Sequence, residues 1–329
     1  MQYRPLGQSG IEASIVGLGT WAISGWMWGG TEEAASMEAI QASIDEGISL
    51  IDTAPAYGLG LAEEIVGKAM AGRRKKVILA TKCGLVWHTT RGQYHMEEGG
   101  KAVYRFLGAD SIRYELEQSL RRLSTDYIDL YQVHWQEATT PIEETLGTLL
   151  DLKREGKIRA IGMGNMTVEQ LAAYNRVGPV DTDQEEYSMI NRDQEAALLP
   201  YCRANNIAMI AYSPLAQGLL TGKIGTDRQF SGDDLRRTYS RFDRAHREKV
   251  AAMLALFEPI TRHHRITPAQ LTLAWTTAQR GVTHALVSAR NAQQARENAR
   301  AANVVLSQEE LDCMEDAIRL HAADIPHLW

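Results

Sequence analysis

The chain has 329 residues, 44% hydrophobic and 23% charged, an ordinary composition for a globular protein that builds one large core. Its formal net charge of −6 and its lack of a long basic run argue against a surface for nucleic acid or an anionic membrane. Three scattered cysteines, no apolar stretch of membrane-spanning length and no signal-peptide core predict a cytoplasmic protein without disulfides or a CxxC metal site.

Strand-like apolar runs alternate with helix-like periodic runs, which is the pattern of a parallel sheet. Residues 1–14 are predicted to form a hairpin that plugs one end of a barrel. The strands that follow are predicted near 15–20, 48–52, 77–82, 127–133, 158–162, 181–184, 207–211 and 284–287. The intervening helices are predicted at 33–46, 61–70, 109–123, 142–155, 167–175, 194–204 and 291–302.

Eight such strand–helix units predict an α/β fold, a (β/α)8 TIM barrel that forms one domain over residues 1–329. A doubly wound sheet is the alternative, but it rarely uses eight regular repeats. Two long loops interrupt the rhythm, at 83–107 and 213–245. Because loops of this length in a compact domain are usually functional, we expect both to frame a site on the face where the strands end.

Four chemically complementary residues fall at the predicted strand ends. Asp52, Lys82 and His134 each close a strand, and Tyr57 lies in the loop after Asp52. Since strand C-termini share one face of a barrel, these side chains are predicted to converge. A tyrosine pKa is ordinarily near ~10, and an ammonium held by a carboxylate should lower it.

A histidine beside that tyrosine can share its proton or orient a carbonyl oxygen. The set therefore suits protonation of the oxyanion that forms when a hydride reaches a carbonyl. The alternative is that each residue only caps a turn or lies on the surface. Four complementary groups at three strand ends favour a functional site.

Aromatic residues cluster in the same predicted loops. Gly17–Thr20 resembles the start of a dinucleotide fingerprint, but its third glycine is missing, so a Rossmann fold is rejected. Trp21 instead follows the first strand and is expected to project into the pocket. Aromatic walls suit a flat nicotinamide or a sugar ring, although scattered lid packing is an equal alternative. The further tryptophans are Trp26, Trp28, Trp87 and Trp135.

The last strand-to-helix junction carries a candidate phosphate site. Arg290 lies there, where helix amides and a guanidinium can bind phosphate, and Gln294 and Asn298 share a helix face that can contact adenine. The alternative is a solvated helix with an asparagine cap. No metal site is expected, because His263–His264 has no carboxylate at ligand spacing in the sequence.

Segments along nearly the whole chain resemble the aldo-keto reductases, in the branch related to potassium-channel β subunits and bacterial sugar reductases. They are 50–58 (LIDTAPAYG) with Glu64 and Gly67, 79–82 (LATK), 126–134 (DYIDLYQVH), 156–162 (GKIRAIG), 212–223 (YSPLAQGLLTGK) and 288–298. The resemblance implies a barrel that binds NADPH, with NADH less favoured, and reduces an aldehyde or ketone. It also implies a small-molecule substrate and allows a homo-oligomer.

Carried over by position, Tyr57 is the general acid, Lys82 and Asp52 tune its acidity, and His134 orients the carbonyl. The implied cofactor residues are Thr20, Trp21, Asp52, Asn165, Gln184, Tyr212, Ser213, Pro214, Leu215, Gln217, Gly218, Lys223, Ser288, Arg290, Gln294, Glu297 and Asn298. The implied substrate residues are Trp21, Tyr57, Trp87, His134 and Trp135.

Two departures from the family pattern bear on the cofactor. Gly164, Asn165 and Met166 stand where the family has Ser-Asn-Phe, so a serine hydroxyl contact is lost. Ser288 replaces a glycine in the late phosphate loop, where a side chain alters the fit of a phosphate.

Two other functions stay open at this point. One is an NADPH-sensing regulatory subunit with little turnover, and the other is a metal-dependent barrel lyase or isomerase, which would need ligand clusters that the sequence lacks. For an enzyme, we expect a polar, sugar-like carbonyl, because the 83–107 loop mixes tryptophan with polar side chains. Those polar residues are His88, Arg91, Gln93, Tyr94 and His95.

Overall fold

Eight parallel strands close into a barrel in the computed structural model, which describes residues 1–327, and this confirms the predicted (β/α)8 fold. In chain order, the barrel strands together with the strands outside the barrel are β1 Tyr3–Pro5, β2 Glu12–Ser14, β3 Val16–Gly19, β4 Leu50–Asp52, β5 Ile78–Cys83, β6 Leu85–Val86, β7 Gln93–Glu98, β8 Lys101–Arg105, β9 Ile128–Val133, β10 Ile158–Gly164, β11 Thr182–Glu186, β12 Ala208–Tyr212 and β13 Val282–Val287. Around the barrel the order is β3, β4, β5, β9, β10, β11, β12 and β13, with β13 paired to β3.

Helices surround the barrel and bury their apolar faces against its outer surface. They are α1 Glu33–Asp45, α2 Leu61–Ala69, α3 Ala109–Leu123, α4 Ile142–Arg154, α5 Val168–Val177, α6 Leu198–Ala204, α7 Arg244–Leu256, α8 Glu258–His264, α9 Pro268–Ala278, α10 Ala292–Arg300 and α11 Gln308–His321. Helix α9 has no counterpart among the predicted helices, because it is buried on nearly every side from Ala269 to Thr277 and shows little amphipathic periodicity. None of the described helices is long and apolar enough to cross a membrane.

The N-terminal hairpin closes the bottom of the barrel, as expected. Strands β1 and β2 pair antiparallel, and Leu6 and Ile11 at the hairpin are buried. They join Ala13 in one apolar cluster with the first inward-facing residues of the barrel strands. The polar residues at the C-terminal ends of the strands lie at the opposite end of the barrel.

The 83–107 segment is not the irregular loop that the sequence analysis expected, because it contains the antiparallel sheet β6–β8–β7. A two-residue turn, Gly99–Gly100, joins β7 to β8, and both glycines have positive φ angles, 54° and 75°. Only glycine adopts that conformation freely, and it matches the twist of a tight hairpin. The segment therefore forms a three-stranded wall beside the strand ends.

Candidate active site

The inward faces of β4, β5 and β9 change from apolar to polar along each strand. Side chains two residues apart point to the same side of a strand, so Asp52, Lys82 and Gln132 form the layer above an apolar one. All three side chains are buried. The apolar residues below them are Leu50, Ala80 and Leu130.

The Lys82 ammonium lies at the centre of this layer. Its Nζ lies 2.5 Å from Asp52 Oδ1, 2.9 Å from the Thr53 carbonyl oxygen and 3.2 Å from the Tyr57 hydroxyl oxygen. An ammonium has three N–H groups and no acceptor, so these contacts use its whole capacity. Tyr57 therefore accepts from Lys82, and its own proton remains available to a ligand.

The pKa of Tyr57 is raised above its ordinary value, which corrects the expectation of a net lowering. The protein around the hydroxyl desolvates it and raises the pKa, although the ring remains partly accessible from the cleft. Lys82 lowers the pKa as expected, but burial outweighs it. Burial also lowers the pKa of Lys82, but Asp52 and Tyr57 more than compensate, so its pKa is raised. The pair thus holds a charged lysine and a protonated tyrosine at neutral pH.

The second oxygen of Asp52 is fixed by two amides. Gln132 Nε2 and Gln184 Nε2 each donate to Asp52 Oδ2 at 2.9 Å, and Gln184 Nε2 also lies 3.1 Å from Gln132 Oε1. Gln132 is not among the residues predicted from the sequence to form the site. The available signal was its position two residues before His134, which puts both side chains on the same side of the extended chain.

His134 lies across from the tyrosine. The two ring centroids are 5.9 Å apart in an edge-on arrangement. Burial, then the charge of Lys82, and then His95 and Arg105 hold the pKa of His134 well below its usual range. The imidazole is therefore neutral at physiological pH, and it can donate a hydrogen bond to a carbonyl oxygen without carrying a charge.

A cleft of about 500 Å³ opens beside these residues. It contains every sequence-predicted cofactor position except Asn165, from Thr20 at the end of β3 to Asn298 on α10. The cleft residues that the sequence analysis did not name as cofactor positions include Trp28 and three from the 213–245 segment, Arg228, Phe230 and Arg236. The length of that loop was the signal that could have found them.

Asn165 lies next to the cleft and is already hydrogen-bonded. Its Nδ2 donates to the His134 carbonyl oxygen at 2.9 Å, and its Oδ1 accepts from the Tyr212 hydroxyl at 2.9 Å. Its φ of 57° is a left-handed conformation, which asparagine tolerates better than most residues. A Cβ on Gly164 would lie 3.4 Å from the carbonyl oxygens of Val133 and Gln184, which is an ordinary contact distance.

The predicted phosphate end of the cleft is partly closed. Arg290 donates to the Trp28 carbonyl oxygen at 3.2 Å and to the Gly30 carbonyl oxygen at 2.7 Å. Lys223 pairs with Glu297 at 2.9 Å. The hydroxyl of Ser288 donates to the Gly19 carbonyl oxygen at 2.8 Å, so this side chain links the ends of β13 and β3.

The residues present fit a nicotinamide dinucleotide. Three buried polar atoms, Thr20 Oγ1, Trp21 Nε1 and Trp28 Nε1, have no hydrogen-bond partner within residues 1–327. Lys223 and Arg290 supply positive charge at one end of the cleft. Gln184 supplies an amide beside the predicted catalytic residues Asp52, Tyr57, Lys82 and His134, which we refer to as the catalytic layer. Such a long cleft, with cations at one end and an amide at the other, matches a ligand that joins phosphates to a carboxamide ring.

Of the predicted substrate residues, Tyr57 and His134 face each other, and Trp21 lies in the cleft with its ring centroid 6.5 Å from that of Tyr57. The other two, Trp87 and Trp135, lie against the wall formed by β6, β7 and β8. Trp87 and Trp135 pack on the apolar cluster of Ala56, Leu85 and Val103. Among the polar residues of the wall, His88 instead lies against α3, where its ring centroid is 4.4 Å from that of Tyr114. Arg91 also points to α3 and pairs with Asp110. Only part of the polar set therefore lies near the catalytic residues.

A carboxylate does approach the two adjacent histidines. Glu310 Oε1 lies 2.8 Å from His264 Nε2, and one ligand atom from each of His263, His264 and Glu310 lies within 4.8 Å of the others. This proximity could not be seen in the sequence, since Glu310 belongs to α11 and the histidines to α8. The carboxylate also caps α11 by accepting from the Ser307 amide, so a structural role accounts for it.

The fold and the cluster of Asp52, Tyr57, Lys82 and His134 match what is expected of a barrel oxidoreductase that reduces carbonyls. The family model described as the aldo/keto reductase family matches residues 15–319, and the chain belongs to this family. Members of the family bind a nicotinamide cofactor.

The names of proteins similar to this chain refer to different activities. The chain is 44% identical to aldo-keto reductase YhdN of Bacillus subtilis over 293 residues, which covers 88% of this chain and 85% of the relative. It is 40% identical to the NADH-specific methylglyoxal reductase of Escherichia coli, with coverage of 96% and 98%. Its fold is similar to that of the glycerol dehydrogenase AKR11B4 from Gluconobacter oxydans, with a TM-score of 0.88, 37% identity and coverage of 99% and 98%.

Proposed function

We propose that the protein reduces a small polar aldehyde or ketone to the alcohol, with NADPH as the cofactor and Tyr57 as the proton donor. The observation that carries this proposal is the saturation of Lys82 by Asp52, Thr53 and Tyr57. It leaves the tyrosine proton as the one that can move to a substrate. A nicotinamide cofactor in the cleft would supply the hydride.

The chain's own residues then perform the acid–base steps. His134, neutral and opposite Tyr57, orients the carbonyl oxygen by a hydrogen bond. Negative charge grows on that oxygen during reduction, and the nearby Lys82 ammonium stabilises it. The Tyr57 hydroxyl gives its proton to the oxygen, and the phenolate that remains is stabilised by Lys82 until it is reprotonated.

The preference for NADPH rests on Arg290. A guanidinium can pair with the two oxygens of a 2′-phosphate, which NADH lacks. In the present structure the same guanidinium holds the carbonyl oxygens of Trp28 and Gly30, so a phosphate would share or replace those contacts. The Escherichia coli relative is named NADH-specific, and this makes a direct comparison of the two cofactors the decisive measurement.

The preference for a polar, sugar-like carbonyl rests on the wall beside the catalytic layer. Trp135 offers an aromatic face, while His95 and Arg105 offer hydrogen-bond donors next to it. An apolar substrate that covers these half-buried groups would displace their water without replacing its hydrogen bonds, at a cost of roughly 1–3 kcal/mol each.

The test is aldehyde-dependent oxidation of NADPH by the purified protein, with methylglyoxal, glyceraldehyde and a matched alkyl aldehyde as substrates. We expect turnover with all three and a higher kcat/KM for the hydroxylated compound. Tight NADPH binding without turnover on any of them would instead support the regulatory-subunit alternative. Higher kcat/KM for the alkyl aldehyde would refute the sugar-like substrate alone.

A further inference from the structure

Arg105, the last residue of β8, forms no salt bridge within the part of the chain that the structure describes. Its Cζ lies 4.4 Å from the centroid of the Trp135 ring, and its Nε donates to His95 Nδ1 at 3.1 Å. Within residues 1–327 neither of its terminal nitrogens has a hydrogen-bond or ion-pair partner. Because a guanidinium carries five N–H donors in a rigid fork, four of them remain free.

This unpaired fork lies near the catalytic layer. Trp135 directly follows His134, and the His95 ring lies 6.0 Å from the Trp135 ring. After burial and the charge of Lys82, the charge of Arg105 is among the causes that lower the pKa of His134. Val103, two residues before Arg105 on β8, packs with Ala56, which directly precedes Tyr57, so Arg105 belongs to the wall beside the proton donor.

His95 extends the same donor set. Its Nδ1 accepts from Arg105, so the ring proton is on Nε2. Burial and the charge of Arg105 lower the pKa of His95 to about 4, and the ring is therefore neutral at physiological pH. The pair presents a single positive charge and several N–H groups, and no carboxylate of residues 1–327 pairs with either side chain.

We infer that Arg105 and His95 bind an oxyanion, a carboxylate or a phosphate, carried by the carbonyl substrate at the end away from its reacting carbon. This inference rests on the proposed reductase function and narrows its substrate class to anionic aldehydes or ketones. The fork of a guanidinium pairs two N–H groups with two oxygens of either group. Stacking on Trp135 holds that fork in one orientation before a ligand arrives.

A second arginine of the 83–107 segment, Arg91, also stacks on an aromatic ring but has an acidic partner. Arg91 lies 4.4 Å from the Phe106 ring centroid, the same distance as in the Arg105 stack. It is neutralised by Asp110, whose carboxylate lies 2.5 Å away. Arg91 is therefore a matched control, since it shares the aromatic stack and lacks the free fork.

The experiment compares charged and neutral versions of one aldehyde. The carboxylate arm uses 4-oxobutanoate against its methyl ester, and the phosphate arm uses glyceraldehyde 3-phosphate against glyceraldehyde. For each pair the ratio of kcat/KM, charged over neutral, is measured in the wild type, Arg105→Met, Arg105→Lys and Arg91→Met. Each variant is first checked by thermal unfolding.

We expect the wild-type ratio to favour the charged aldehyde in at least one arm. Arg105→Met should lower that ratio by about 10- to 100-fold, on the scale of a charged hydrogen bond. Arg105→Lys should retain part of it, and Arg91→Met should leave it unchanged. The arm that responds identifies the oxyanion as a carboxylate or a phosphate.

The inference is overturned if the wild type shows no preference for either charged aldehyde, or if Arg105→Met and Arg91→Met change the ratio equally. Should Arg105→Met fail to fold, the inference is tested by the salt dependence of kcat/KM in the wild type. Increasing ionic strength should lower kcat/KM for the charged aldehyde only, and equal changes for both would refute the inference. If neither the charged nor the neutral aldehydes are reduced, the proposed function fails as well.

Discussion

Lys82 Nζ lies 3.2 Å from the Tyr57 hydroxyl oxygen, at the distance of a hydrogen bond that the ammonium donates. This relationship sets the direction of proton movement, because the tyrosine proton is not used in the contact. It also opposes the effect of burial, which on its own would raise the pKa of Tyr57 further.

Lys82→Met should lower kcat by about 10²-fold or more, since the developing phenolate loses its stabilising charge. The alkaline limb of the pH–rate profile should move to higher pH, because removal of the ammonium raises the pKa of Tyr57. Steady-state kinetics from neutral to alkaline pH measure both effects. Exposed Lys68→Met is the control, and an unchanged profile in Lys82→Met would argue against the coupling.

Arg290→Ala should weaken NADPH binding by about 1.5–3 kcal/mol, the scale of a hydrogen bond to a charged group. NADH binding should change little, apart from any effect of releasing Trp28 and Gly30. Quenching of tryptophan fluorescence by each cofactor gives the two dissociation constants. Lys223→Met is the comparison, because a pyrophosphate contact would affect both cofactors equally. Equal wild-type affinities for NADPH and NADH would contradict the preference.

Glu98→Gln should stabilise the protein at pH 8 and not at pH 5. Glu98 is 4% exposed, its oxygens have no hydrogen bond in the described chain, and burial raises its pKa from 4.5 to about 7. The nearby amides of Gly58 and Leu59 offset this only in part. Because the folded-state pKa is raised, the wild type loses stability as pH rises from 4.5 through 7, by up to about 3 kcal/mol.

Urea unfolding of the Glu98 variant and the wild type at both pH values measures this difference. Exposed Glu97→Gln on the same strand is the matched control and should show no such pH dependence. A stability gain for Glu98→Gln that is equal at pH 5 and pH 8 would show that the carboxylate charge is not the cause.

Gln132→Leu should lower the free energy of unfolding by about 1–3 kcal/mol, because buried Asp52 loses one of its two amide donors. Gln184→Leu should cost a similar amount and also weaken cofactor binding, since Gln184 lies in the cleft and Gln132 does not. Denaturant unfolding and cofactor titration of both variants separate the two roles. Equal loss of cofactor affinity in both would contradict the distinction.

The barrel itself could be predicted from the sequence because eight apolar strand runs alternate with helical runs, and each repeat reports its own local structure. Asp52, Lys82 and His134 could be predicted to converge for the same reason, since strand ends share one face. Gly99–Gly100 carried a hairpin signal that the sequence analysis did not use, so the β6–β8 wall was expected to be a loop.

Other features depend on contacts between distant parts of the chain. The sign of the Tyr57 pKa shift depends on how strongly the folded protein desolvates the hydroxyl, which residue types alone do not reveal. Asn165 was assigned to the cofactor by resemblance, while its amide in the structure already bonds His134 and Tyr212. Likewise, only the folded structure shows that Arg105 has no acidic partner within residues 1–327.

Tyr57→Phe tests the account most directly, because the variant removes only the hydroxyl that is held by Lys82. We predict a fall in kcat/KM of about 10²–10⁴-fold for carbonyl reduction, with unchanged NADPH affinity and thermal stability. Tyr3→Phe, at the opposite end of the barrel, should leave turnover unchanged. Near-wild-type turnover of Tyr57→Phe on a good aldehyde substrate would contradict the assignment of Tyr57 as the proton donor.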